Sequence, residues 1–314
     1  AWANGPQALK PLNFAPTEPL WRVSDPANPG FAPIIPEVTP LAVIGVRACD
    51  LAALALQDRH FLGGARPDPW YQARRARLFL IGVDCSHPAD TCFCASTGDG
   101  PALGEGFDLG LTELDEGFLI RAGSDRGTAV LADLSTAPPT TAQLAAATHQ
   151  ATAAVQAQTR RLPAPEVTHS LYDTLNDPAQ QARWEAVAAD CLACGNCTAV
   201  CPTCFCSRYD TDTPIGGTEG TQVRRWDSCF NAGHSALHGH PVRNEITQRY
   251  RQWLTHKLAG WQDQFGRPGC VGCGRCIAWC PVGIDLTAAV AQLTAALPSQ
   301  GGAPSQASPS GGRP

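Results

Sequence analysis

The sequence predicts an N-terminal α/β domain followed by a mostly helical, cysteine-rich domain. Two continuous apolar runs separated by a helical segment carry the first half of that reading. Fifteen cysteines, gathered mainly at two- and three-residue spacings, carry the second.

The first forty residues are rich in proline and nearly free of periodicity, so residues 1–40 read as an extended arm that becomes ordered by docking on a domain. Leu41 to Val46 is a short apolar run suited to a strand buried on both faces. Asp50 is then placed to cap the following helix, whose apolar positions include Leu51, Leu54, Leu56 and Phe61. An alternative use of Asp50 is as an oxygen ligand. Arg77 to Val83 gives a second strand. Residues 107–121 read as two more strands around the turn Asp115-Glu116-Gly117. Thr141 to Arg161 is an Ala-rich helical stretch, and Asp177-Pro178 opens a helix that runs to Asp190. From Cys191 to Pro281 the character changes to cysteine, glycine and short helices. A last helix covers Leu286 to Leu297, and residues 298–314 form a low-complexity tail of the kind that stays disordered. The domain division is therefore 1–40, 41–161, 162–297 and 298–314.

Composition narrows the function. With 314 residues, 44% of them hydrophobic and 16% charged, the chain has material for two modest cores. A formal charge of −5 and few aromatic residues give no basis for a nucleic-acid partner. No apolar run approaches the roughly 18 residues that cross a bilayer, and the opening residues lack a secretory pattern. The chain contains no Met, so its first residue is not taken as a start of translation. An odd cysteine count at tight spacing is foreign to a secreted disulfide framework and points to reduced thiolates holding metal, which suits the cytoplasm.

Cys191, Cys194, Cys197 and Cys201 follow C-x2-C-x2-C-x3-C, with Pro202 next; Cys270, Cys273, Cys276 and Cys280 repeat it, with Pro281 next. This is the bacterial ferredoxin run, in which three thiolates of one loop hold one [4Fe–4S] cube and the fourth serves the other. The second domain is accordingly ferredoxin-like, with two [4Fe–4S] clusters: one on Cys191, Cys194, Cys197 and Cys280, the other on Cys270, Cys273, Cys276 and Cys201. Gly195, Gly272 and Gly274 lie inside the loops, where glycine lets backbone N–H groups turn toward the cluster sulfurs. Structural zinc also uses C-x2-C, but it has no use for a third Cys, a fourth at x3 and a proline, twice over.

Cys49, Cys85, Cys92 and Cys94 fall near the ends of the N-terminal strands, where sites gather in α/β sheets. Two readings stay open: a third [4Fe–4S] cluster, or buried thiols acting as small hydrophobes. Cys204, Cys206 and Cys229 read as side chains packed near the clusters rather than as ligands. Arg224 and Arg225 either offset cluster charge or form surface ion pairs. His234, His238 and His240 show no ligand spacing and read as loop residues. No GxGxxG after a strand, Walker loop, GxSxG or nucleophile with a partnered base is recognisable. Without a flavin or nicotinamide signature, such a chain receives electrons from one partner and delivers them to another.

The stretches GVRACDLAAL (45–54), TCFCASTGDGP (91–101), GFDLGLTEL (106–114), CLACGNCTAVCPTCFC (191–206), VRRWDSC (223–229) and FGRPGCVGCGRCIAWCPVGID (265–285) resemble the beta subunits of sulfhydrogenases, the cytosolic NAD(P)-linked [NiFe] hydrogenases. They are similar also to the related electron-transfer component of anaerobic sulfite reductase. The first resemblance implies an electron-transfer subunit with no active site of its own. Its partners would be the [NiFe] hydrogenase small and large subunits and a flavin-containing, NAD(P)-reactive subunit. The second implies the same module serving a sulfite or sulfur reductase. A structural zinc scaffold is the reading from a different class, and iron analysis separates it from both.

Overall fold

The computed structural model describes residues 4–23, 30–162, 168–216 and 219–295. Along the chain it runs α1 (Lys10–Asn13), β1 (Thr17–Val23), β2 (Phe31–Pro33), β3 (Leu41–Val46), α2 (Ala48–Leu62), α3 (Pro69–Arg75), β4 (Leu78–Val83), β5 (Leu109–Leu114), β6 (Gly117–Ala122), α4 (Asp125–Ala132) and α5 (Thr141–Gln156). There follow α6 (Thr168–Asn176), α7 (Gln181–Ala188), α8 (Asn196–Ala199), β7 (Ser207–Asp212), β8 (Gly220–Trp226), α9 (Ile246–Thr255), α10 (Trp261–Phe265), α11 (Arg275–Ala278) and α12 (Leu286–Thr294). The tail beyond residue 295 lies outside the described residues.

The first sheet has the order β3-β4-β5-β6, parallel across β3, β4 and β5 and completed by the antiparallel hairpin β5–β6. The connection β3-α2-β4 makes this the α/β unit expected from the two apolar runs. Burial of β3 on both faces is corrected: it is an edge strand, and Ile44 is 72% exposed. An apolar run specifies an extended segment but not how many neighbours it acquires. The central strand β4 alternates buried and half-buried side chains, and Leu78 and Leu80 join Leu51, Leu54, Leu103 and Phe107 in the core beneath α2.

The arm docks, and it does so as structure. β1 pairs antiparallel with β2 on one side and with β8 on the other, giving the sheet β2-β1-β8-β7. One sheet thus joins residues from the start of the chain to residues beyond 200. Arg224 on β8 is 4% exposed and forms an ion pair with Asp68, the side chain that caps α3. Its guanidinium also lies over Phe14 and Phe61. Arg224 is therefore an internal clamp between the arm's sheet and the helices α2 and α3, neither a cluster counter-charge nor a surface pair. Arg225 pairs with Asp210 and Asp212.

Behind the cysteine motifs lies a helical core. Trp184 of α7, Tyr250, Trp253 and Leu254 of α9, and Val290 and Leu293 of α12 are buried together, with Cys191, Cys197 and Cys276 packed on their edge. Asp177 caps the 3₁₀ turn 178–180 that leads into α7, as its sequence position predicts.

Candidate metal centre

The two motifs fold into the same local backbone. Ala193 (φ +51°) and Gly195 (φ +73°) in the first loop correspond to Gly272 (φ +62°) and Gly274 (φ +72°) in the second. Left-handed backbone at two places per loop turns the chain back on itself between successive cysteines, and at Ala193 a Cβ carries the strain of that conformation. Gly195 and Gly274 then start the short helices α8 and α11, which pack against each other. The backbone N–H of Ala193 donates to Cys191 Sγ and that of Gly272 to Cys270 Sγ, both at 3.5 Å. The N–H of Ile284 donates to Cys280 Sγ at 3.3 Å. The repeat of geometry follows from the repeat of spacing.

A cavity is lined by Cys191, Cys194, Cys197, Cys280 and Cys276 and walled by Phe230, Tyr250 and Trp253. Burial raises the Cys197 thiol, and the nearby charges of Cys191, Cys201, Cys194 and Cys280 raise it further. Cys276 is pushed well above its ordinary value by burial, then by Cys270, Cys273, Cys201 and Cys197. The last Cys of each run therefore sits among the first three of the other. Such donors cannot stay ionised in an apolar pocket without a cation among them, whereas ferric and ferrous irons supply one. An all-thiolate set in an apolar wall fits a [4Fe–4S] cube.

Cys201 departs from this pattern. Its thiol is held well below the ordinary value by a hydrogen bond from Cys204, with Lys257 and Lys10 adding to the effect. Both lysines are buried. Lys257 Nζ donates to Thr203 Oγ1 at 2.9 Å, and Lys10 Nζ donates to the carbonyls of Thr198 and Ala199 at 3.2 and 2.9 Å. The groups that raise Lys257 against its burial are sulfur groups, Cys201 first, then Cys204 and Cys270. Two buried ammonium groups beside this thiolate would offset the negative charge of a cluster held there. Neither lysine is signalled by its local sequence.

The four N-terminal cysteines also come together. Cys49 lies in the first turn of α2; Cys85 follows β4; Cys92 and Cys94 occupy the loop that leads into a 3₁₀ turn. Burial raises Cys85 to about 11 and Cys94 to about 12; the charge of Cys92 adds to both, and that of Cys85 adds to Cys94. Cys49 and Cys94 share a buried cluster with Cys273 of the second motif. The loop is pinned there: Phe93 N–H donates to Gly272 O at 2.8 Å, and Gln158 Nε2 lies 3.3 Å from Cys94 Sγ. A Cβ at Gly272 would stand 2.5 Å from the Cys94 backbone, and one at Gly274 would stand 2.2 Å from Thr91 O. These two glycines thus serve close packing of the third cysteine loop as well as the turn of their own loop.

Asp50 makes no helix cap and stands outside the thiol set. Its carboxylate receives Arg275 Nη1 at 2.7 Å and Nη2 at 3.2 Å, with both side chains nearly buried. Arg275 stands between Cys273 and Cys276 in the chain, so the pair ties α2 to the second motif. His234 lies in the 3₁₀ turn Ala232–Ser235. Its Nδ1 lies 2.8 Å from Asp227 Oδ2, and the neighbouring Cys206 and Asp227 raise the ring to about 9. His238 and His240 remain exposed surface residues.

A family profile described as "4Fe-4S dicluster domain" matches residues 190–284. Sulfhydrogenase 2 subunit beta of Pyrococcus furiosus is 33% identical to this chain over 245 residues, which cover 77% of the chain and 71% of that relative. No solved structure matches.

Proposed function

Because the chain belongs to the family of sulfhydrogenase beta subunits, we propose a path for the electrons that such a subunit carries. It is an iron–sulfur electron-transfer subunit of a hydrogenase complex, built on a mixed α/β fold with a 4Fe-4S dicluster domain. The proposed clusters are two cubes with exchanged fourth ligands: Cys191, Cys194, Cys197 with Cys280, and Cys270, Cys273, Cys276 with Cys201. A third cube on Cys49, Cys85, Cys92 and Cys94 extends the line toward the α/β unit. The unit 41–161 then presents this end of the path, and 162–297 forms the dicluster unit.

The observation that carries the reading is the interleaving of the two runs, with Cys280 in the cavity of the first loop and Cys201 among the thiols of the second. Cubes whose fourth ligands are exchanged within one small unit are close enough to pass electrons. The clusters do no bond chemistry in this scheme. Electrons move between the [NiFe] hydrogenase small subunit, beside its large subunit, and a flavin-containing NAD(P)-reactive subunit, in a reducing compartment such as the cytoplasm. Among the described residues no helix is long and apolar enough to cross a membrane.

Anaerobically purified protein with only the two ferredoxin-type sites loaded should hold about eight irons per chain, and about twelve with the N-terminal cube. Cys280→Ser should alter the EPR signal of the cube held by Cys191, Cys194 and Cys197. Loss of the other signal instead would refute exchanged ligation. A colourless, zinc-loaded chain would refute the clusters altogether.

A further inference from the structure

Three cysteines are left over by the cluster assignment, and two of them meet. The hairpin β7–β8 pairs Ser207 with Trp226, and Asp227 N–H donates to Cys206 O at 2.9 Å. Cys206 and Asp227 therefore stand opposite each other at the open end of the hairpin. Two residues on, the Cys229 thiol comes close enough to Cys206 for each to shift the other's ionisation. Asp227 Oδ1 is occupied by the Ser228 N–H at 2.8 Å and by Asn231 Nδ2 at 3.1 Å, which leaves Oδ2 for His234. The imidazole, so oriented, lies within electrostatic reach of Cys206. This is a thiol, an imidazole beside it and a carboxylate that orients the imidazole, with a second thiol next to the first.

The surroundings give the group its use. Cys204, Cys206 and Asp227 line an open pocket together with Cys194 of the first cluster loop and Lys10. On the inner side Cys229 packs with Cys191 and Cys197 on the helical core. All fifteen cysteines are free.

We propose that Cys206 and Cys229 form a redox-active dithiol in electron contact with the first cluster, oriented by His234 and Asp227, that exchanges with a small disulfide entering the pocket. This rests on the cluster assignment above. The Cys206 thiolate attacks one sulfur of the external disulfide R–S–S–R′; the Cys206–S–R bond forms and R′S⁻ leaves. Cys229 gives its proton to solvent and attacks Cys206 Sγ, breaking that mixed disulfide and releasing RS⁻. The Cys206–Cys229 disulfide is then reopened by two electrons, delivered one at a time through the first cluster, and two protons. The balance is one disulfide reduced to two thiols for two electrons and two protons. A hydrogen bond from Cys229, together with His234, holds the Cys206 thiol well below its ordinary value, and contact with Cys206 and Asp227 raises His234 to about 9. Both shifts have the sense that this chemistry needs.

The test uses the full chain, anaerobically purified with its clusters, and glutathione disulfide as the probe. After exposure, acid quench and alkylation, peptide mapping should find a Cys206–Cys229 disulfide in the wild type. Cys229→Ser should instead accumulate glutathione on Cys206, and Cys206→Ser should form neither adduct. Iron per chain should be the same in all three. Titration of the oxidised wild type with reduced methyl viologen should consume two more electrons per chain than the untreated protein. Loss of iron in Cys206→Ser would make these thiols cluster ligands and overturn the proposal; so would a full iron count with no adduct at Cys206. A wild type without iron or sulfide would indict the cluster assignment instead.

Discussion

Replacing Asp50 by Ala removes the carboxylate partner of a guanidinium that has no route to water. The Arg275 side chain is 3% exposed and that of Asp50 10%, with contacts of 2.7 and 3.2 Å. Coulomb attraction at ~3 Å and an effective dielectric of about 20 is ~5–6 kcal/mol. The remaining Arg275 bond, from Nε to Gly5 O at 3.0 Å, cannot neutralise the charge. Stranding one member of such a pair costs about 3–5 kcal/mol. The cost falls on the second cysteine loop, because Arg275 lies in it. Hydrogen exchange of the peptide spanning 270–280 in the anaerobic holoprotein should accelerate by roughly 10²- to 10⁴-fold, at ~1.4 kcal/mol per tenfold. Pairing Asp50→Leu with Arg275→Met should restore most of the protection, since it leaves no buried charge behind. An acceleration of fivefold or less, equivalent to roughly 1 kcal/mol and typical of an exposed bridge, would show that Arg275 reaches solvent and that α2 is not tied to the loop by charge.

Gly274→Ala places a methyl group 2.2 Å from Thr91 O on left-handed backbone. The conformation alone costs about 1–2 kcal/mol, and the overlap must also separate the two cysteine loops, so iron content after anaerobic purification should fall; an unchanged count would refute the close approach. Asp285 caps α12 through Thr287 and pairs with Arg160 at 2.6 Å. Burial by itself would raise its carboxyl, but these hydrogen bonds hold it below its ordinary 3.8. A depressed folded-state value makes its contribution complete above about pH 4 and lost as the pH falls below that. Protection of 286–294 should therefore be flat from pH 7 to 5 in the wild type, and Asp285→Asn should lower it by the same factor throughout that range; a wild-type decline beginning near pH 6 would count against the assignment.

The sequence alone determined what depends on spacing. Cysteines three apart face one centre, so the two runs named their candidate ligands without reference to the rest of the chain. Glycine at 195, 272 and 274 marked the left-handed turns because few other residues adopt them cheaply. Capping at Asp177 and the succession of β3, α2 and β4 were legible for the same local reason.

Tertiary structure decided what depends on contacts between distant positions. Asp50 looked like a helix cap until Arg275, 225 residues away, claimed its carboxylate. The arm became a sheet because β8 offered it an edge. Lys10 and Lys257 carry no motif, yet both come to rest beside Cys201. His234 had no ligand spacing because its partners, Cys206 and Asp227, flank different strands of a hairpin and meet only across it. A side chain's charge and reactivity are set by what lies within a few ångströms, and that neighbourhood is written by packing over the whole chain rather than by the residues on either side.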